Sequence, residues 1–291
     1  MDKIWLKNYP AGVPHEVHPE QYRSAAHMIE DAMRQHAGRP FSVCMEQWMG
    51  YAELDRQSAA LGAWLQGQGL APGARVAIML PNIPQFAVTM AAVLRAGYIC
   101  VNVNPLYTGR ELEHQLKDSG SSAIVILENF AHTLAEVIEH TGVQRVVMAS
   151  MGDLLGFWYG RWITFAVRHL AKMVPAYDLP LSAGRTLVTF RQALSDGARR
   201  TLTASSATLD DTAFLQYTGG TTGLSKGAVL THRNIVAATL QAEAWFTPAL
   251  AKMGDVTKAN SIAALPLYHI FALTLCLLAI RQGSHLTLIP N

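Results

Sequence analysis

Alternating apolar strands and helices over residues 74–149 predict an α/β protein, with mostly parallel sheets and helices on both faces. The strand candidates there are continuously apolar rather than alternating, as strands buried on both faces are. A chain of 291 residues is long enough to bury a large core in one or two domains. No G-x-G-x-x-G follows a strand, which disfavours the dinucleotide-binding version of such a fold.

Residues 1–22 carry Pro, Gly and His without periodicity and read as an extended arm. Ser24 is placed to cap the next helix, in which Ala25, Met28, Ile29 and Met33 share one face. FSVCM is a short strand and Gly50 marks a turn. YAELDRQSAALGAWLQGQG is a helix whose Leu54, Ala60, Leu61 and Leu65 face a core; it ends at Gly67 or Gly69, and Pro72-Gly73 turns the chain. The strands that follow are ARVAIMLPN, YICVNVNP, SAIVILE and QRVVMAS. Between them lie the helices QFAVTMAAVLRAG, ELEHQLKDSG and NFAHTLAEVIEHTG. Glu111 and Glu113 fall in the first turn of the second of these, where the helix dipole favours acids. The turn before them reads as structural, with no catalytic role.

Residues 152–180 are less ordinary. Phe157, Trp158, Tyr159, Trp162 and Phe165 are interspersed with Arg161, Arg168 and Lys172, and the three cations fall roughly on one helical side. Two readings account for them: a helix lying at a membrane interface, or one lying over the sheet. DLPLSAGRTL reads as linker and TLTASSATLDD as loop, its Asp210-Asp211 as solvated acids rather than a metal site. AFLQY is a strand. THRNIVAATLQAEAWF is a helix capped by Thr231 or Asn234, with Arg233 either meeting ligand charge or simply exposed.

From Ile262 to Ile280 no charged residue occurs over 19 positions, enough for a hydropathy window to mark a membrane span. Pro266, Tyr268 and His269 interrupt it, and its period changes from strand to helix. A strand, a turn and a fully buried helix are expected instead.

Composition excludes several classes. Half the residues are hydrophobic, 15% are charged and the net charge is +2, which fits neither a disordered chain nor a nucleic-acid binder. Cys44, Cys100 and Cys276 are scattered and odd in number, against a disulfide framework or thiolate metal site. The N-terminus lacks the apolar core of a secretory signal, so a cytoplasmic chain is expected.

The chemistry concentrates in YTGGTTGLSKGA, residues 217–228. Gly219, Gly220 and Gly223 let the backbone turn sharply or approach a ligand. Successive N–H groups in such a turn form a concave anion site. Thr218, Thr221, Thr222 and Ser225 add donors at its rim, and Lys226 adds a positive charge suited to phosphates. This is not a Walker A loop, because Lys226 leads into Gly227 and Ala228 and a strand, not into a helix. A hairpin loop between two strands is expected. The second constellation is PLYH, Pro266–His269, at the end of a strand, where open α/β sheets place ligands.

YTGGTTGLSKG, with PLYH and NVNPLYTGRELEHQLKDSG, resembles the adenylate-forming family, and within it the bacterial long-chain fatty-acid–CoA ligases. The resemblance runs along the whole chain and implies the large N-terminal domain of that family, incomplete at the C-terminus. It implies an extended arm over 1–22, a first α/β subdomain over 23–208 and the start of a second over 209–291. It further implies activation of a long-chain fatty acid with ATP and Mg2+ to an acyl-adenylate, then transfer to coenzyme A. Tyr217 through Ala228, including Leu224, would bind the phosphates. Lys226 and His269 would be catalytic, the histidine orienting the carboxylate, and IFALTLCLLAI would line or back the acyl tunnel. No metal ligand is assigned. The family's later motifs are not found, so a fragment inactive by itself is expected, with peripheral contact to the inner membrane surface and a homodimer left open. The other readings are an adenylating enzyme for an aryl or amino acid, and a non-catalytic nucleotide-binding or membrane-associated module.

Overall fold

Ser24 opens the first helix: its hydroxyl accepts the His27 N–H at 3.2 Å and caps α1 (Ala25–Gln35). The structure, a computed structural model, describes residues 3–182, 184–218, 225–252, 254 and 259–290. After α1, strand β1 (Pro40–Cys44) turns through Met45 and Glu46, with φ of 47° and 62°, into the antiparallel β2 (Gln47–Gly50). Positive φ at both central residues is what a tight two-residue hairpin turn needs, here without the usual Asn-Gly. The turn therefore comes five residues before Gly50, which instead caps α2 (Tyr51–Gln66).

The predicted alternation follows as β3 (Arg75–Met79), α3 (Pro84–Arg95), β4 (Ile99–Asn102), α4 (Gly109–Ser119), β5 (Ser121–Leu127), α5 (Ala131–Val137) and β6 (Arg145–Ala149). Every residue of α3 is buried, as its small apolar sequence requires. In α4 only Glu111 lies in the first turn, where it completes a capping box with Thr108; Glu113, two residues on, lies just beyond that turn and pairs with Lys117.

Residues 157–170 form α6 (Phe157–Phe165) and a π-helical turn, Ala166–Leu170. This segment does not lie buried over the sheet. Of α6 only Gly160 is buried, against the backbone of Gly152, while Trp158 is 80% and Phe157 61% exposed. Arg168 anchors the segment by donating to the buried carboxylate of Glu128 at 2.8 Å. The stretch expected as linker then yields β7 (Thr186–Thr189), and α7 (Phe190–Gly197) follows it.

The remaining elements are β8 (Thr212–Thr218), β9 (Lys226–Thr231), α8 (His232–Ala251), β10 (Asn260–Ala263), α9 (Ile270–Gln282) and β11 (His285–Leu288). Thr231 caps α8, and Asn234 reciprocates from the third position. The expected strand, turn and helix over 262–280 are present, but α9 is not buried throughout. Its first turn exposes Ile270 and Phe271; Ala272, Leu273 and Cys276 through Ile280 are inside. Among the described residues no helix is long and apolar enough to cross a membrane.

Two sheets result. The larger has the order β7-β6-β5-β3-β4-β8-β9, parallel except for the edge strand β9, and the smaller has the order β10-β11-β1-β2. A division at 208/209 does not follow these sheets. Strands β8 and β9 complete the larger sheet begun by β3, whereas β1 pairs in parallel with β11.

Candidate phosphate loop and histidine turn

Strands β8 and β9 form the expected antiparallel hairpin, with Gln216 opposite Ala228, Tyr217 opposite Gly227 and Thr218 opposite Lys226. Gly219, Gly220, Thr221, Thr222, Gly223 and Leu224 lie outside the described residues. What is described is the mouth of the loop, at the C-terminal end of β8, the end at which parallel sheets bind ligands. Thr218 and Lys226 are exposed there, Ser225 is half-buried, and no acid among the described residues pairs with Lys226. An uncompensated ammonium beside two hydroxyls is a donor set that suits an anion such as the phosphates of ATP.

Tyr217 points away from that mouth. It is buried, its hydroxyl donates to Asp118 of α4 at 2.5 Å, and its ring covers Gly227. A Cβ at Gly227 would stand 2.9 Å from the ring, so glycine is required there for close packing. Burial, and then the Asp118 carboxylate, raise the Tyr217 pKa and keep the phenol protonated.

The PLYH turn sits between β10 and α9, held from below by Asn82, which follows β3. The Asn82 amide donates to the carbonyls of Ala263 at 2.8 Å and Leu265 at 2.9 Å, and its oxygen accepts the Leu267 N–H at 2.8 Å. Gln216 donates to the Tyr268 carbonyl at 2.9 Å. Thus β8 touches the histidine turn two residues before it enters the loop, and the two predicted constellations meet through Gln216. His269 is exposed at the start of α9 with its ring 4.6 Å from that of Tyr268.

The other charged candidates are engaged elsewhere. Arg233 donates to Asp210 at 3.0 Å and Glu20 at 2.8 Å, which makes it a surface tie rather than a ligand contact. His232 is buried and accepts the Ala25 N–H at 3.2 Å; burial drives its pKa down to about 4 and keeps it neutral. Asp211 accepts from the Thr208 backbone and hydroxyl. Among the described residues no three His, Cys, Asp or Glu side chains meet, so magnesium finds no ligand cluster there and no step is assigned to it. A cavity of about 550 Å3 opens beside Gly73, Tyr98 and Thr212, at the N-terminal ends of the strands and away from the loop.

Asn82, Gln216 and Asp118 were not singled out in the sequence. Asn82 fell at the end of the strand ARVAIMLPN, and nothing local marks a glutamine within a strand or an aspartate 99 positions from its tyrosine.

Comparison with known proteins matches residues 29–291 to the family described as AMP-binding enzyme. The chain is 47% identical over its whole length to a long-chain-fatty-acid–CoA ligase of Escherichia coli O157:H7, covering 51% of that protein. It is 31% identical to one of Bacillus subtilis strain 168, over 99% of this chain and 50% of the relative. The crystal structure of a long-chain-fatty-acid-CoA ligase from Archaeoglobus fulgidus superposes with a TM-score of 0.73 at 22% identity, over 97% of this chain and 50% of the other. The chain spans about half the length of the curated relatives it matches.

Proposed function

The chain belongs to the AMP-binding enzyme family, and from that premise we propose that a full-length protein carrying it is an AMP-forming long-chain fatty-acid–CoA ligase. The carboxylate oxygen of the acid attacks the α-phosphorus of ATP, and the bond to the departing pyrophosphate breaks. The thiol of coenzyme A then attacks the acyl carbonyl, losing its proton as AMP leaves. The observation that carries this reading is the hairpin mouth, where exposed Lys226 stands opposite Thr218, two residues beyond Gln216, which donates to the turn bearing His269. Lys226 would meet the β- and γ-phosphates and hold charge that grows as pyrophosphate leaves. His269 would orient the carboxylate, and the exposed first turn of α9 would face the acyl chain. The choice of a long-chain acid rests on the names of the relatives.

Peripheral contact with the inner membrane surface belongs to the same proposal. Helix α6 exposes Phe157, Trp158, Trp162 and Phe165, and residues 154–177 contain Arg161 and Lys172, besides the Glu128-bound Arg168, but no acid, a composition complementary to an anionic lipid surface.

Pyrophosphate exchange with saturating fatty acid and varied ATP tests the loop. In a full-length enzyme carrying this chain, Lys226→Ala is expected to slow exchange roughly ten- to hundredfold, the worth of a charge-assisted contact, and Thr222→Ala less. Gly220→Val is expected to raise the KM for ATP as well as lower the rate. Unchanged exchange in both Lys226→Ala and Gly220→Val, with folding intact, removes the loop from the reaction.

A further inference from the structure

Helix α4 presents His114, Gln115 and Asp118, in successive steps of one and three positions, toward the site. Each ends on a different part of it. Asp118 accepts the Tyr217 hydroxyl at 2.5 Å, before the loop. His114 Nε2 lies 2.9 Å from the Ser225 carbonyl, after the loop. Gln115 donates to the Asn102 carbonyl at 2.8 Å, the Asn102 amide donates to Gln216 at 3.0 Å, and Gln216 donates to the Tyr268 carbonyl at 2.9 Å.

These contacts are not what stability by itself would select. Gln115, Asn102 and Gln216 are buried, yet the Gln115 and Asn102 side-chain oxygens have no hydrogen-bond partner among the described residues. A buried acceptor without a partner is costly, and a well-packed apolar side chain would avoid that cost. The helix is also fixed at both ends, by the Thr108–Glu111 capping box and by Gly120 in the left-handed conformation.

We infer that α4 is a positioning element: it grips both described ends of the phosphate-loop hairpin and, through the Gln115–Asn102–Gln216 relay, holds the histidine turn in register with them. The inference rests on the reading that Lys226 meets phosphate. It adds that the placement of Lys226 and His269 is set by one helix, whose own side chains touch no substrate.

The test is pyrophosphate exchange in a full-length enzyme carrying this chain, varying ATP and fatty acid in turn, with Lys226→Ala as reference. Asp118→Ala and Tyr217→Phe are each expected to lower kcat about ten- to hundredfold, the effect of a small misplacement of reacting groups. The double variant should lose no more than the worse single one, because both remove the same bond. Asp118→Asn keeps an acceptor and should recover most of the rate. Gln115→Leu cuts the relay and should raise the KM for the acid more than that for ATP. Unchanged kcat and KM in Asp118→Ala and Tyr217→Phe, even with a lower Tm, would overturn the inference while a slow Lys226→Ala leaves the loop reading standing. A silent Lys226→Ala would bring down the loop reading itself.

Discussion

Helix α9 carries no charge from Ile270 to Ile280 and buries most of that length, whereas α6 carries Arg161 at its centre and buries only Gly160. Ranked by hydropathy, α9 is the membrane-seeking segment. Packing reverses the order. Flanked by β10 and β11 and set against α1 and α8, α9 has removed its aliphatic face from water already, and a helix of that length is more often core than span. The aromatics of α6 have no such partner among the described residues. Large rings mixed with cations suit a boundary between water and lipid, where the rings bury and the charges stay wet. The available apolar surface, rather than the average hydropathy, distinguishes the two helices.

The contrast can be broken most sharply at Leu273, fully buried in α9. Leu273→Ala is expected to cost about 2–5 kcal/mol by chemical denaturation, for lost transfer and a residual cavity. A loss below about 1 kcal/mol would mean that α9 is not a core helix. At the edge of α6 the anchor is ionic. Arg168→Ala leaves the Glu128 carboxylate, 2% exposed, without its charged partner. That should cost roughly 1.5–3 kcal/mol and loosen α6 without unfolding the sheet. A change within about 0.5 kcal/mol would show that Glu128 is satisfied in another way. The smallest effect on stability belongs to the exposed rings. Replacing Trp158, Trp162 and Phe165 together by serine should shift stability by no more than about 0.5 kcal/mol per site and abolish co-sedimentation with anionic vesicles. Phe271→Ser, on the exposed first turn of α9, should leave that binding intact. If only Phe271→Ser weakens it, the roles of the two helices are exchanged.

Much of the larger sheet was legible because strands buried on both faces leave continuous apolar runs, and helices such as α3 leave a small, apolar signature. The β8–β9 hairpin and the Ser24 cap were legible for equally local reasons. The linker reading failed at β7 because Thr186–Thr189 is short and only half-buried, with no apolar run to mark it. The hairpin at Met45-Glu46 was missed because neither residue announces positive φ. For the candidate site, Lys226 and His269 stood out as chemistry on turns. Their supports, Asn82, Gln115 and Asp118, did not, since each works through contacts far along the chain.

The pairing of β1 with β11 has a consequence for the newborn chain. Ser42 lies beside Leu286, so the first strand of the small sheet waits for nearly the last. At a synthesis rate of about 5–20 residues per second, tens of seconds separate their emergence from the ribosome. During that interval β1 has only the short antiparallel partner β2, and an isolated two-stranded ribbon is marginal in water. The larger sheet, with β3 through β9 complete by Thr231, can form first. Phe41, destined for the interior, then has the Tyr51 ring beside it, 5.3 Å between centroids, but its strand lacks the β11 side of the sheet until that strand arrives. The early chain thus presents an unpaired strand edge to chaperones, and to other nascent chains, throughout that interval.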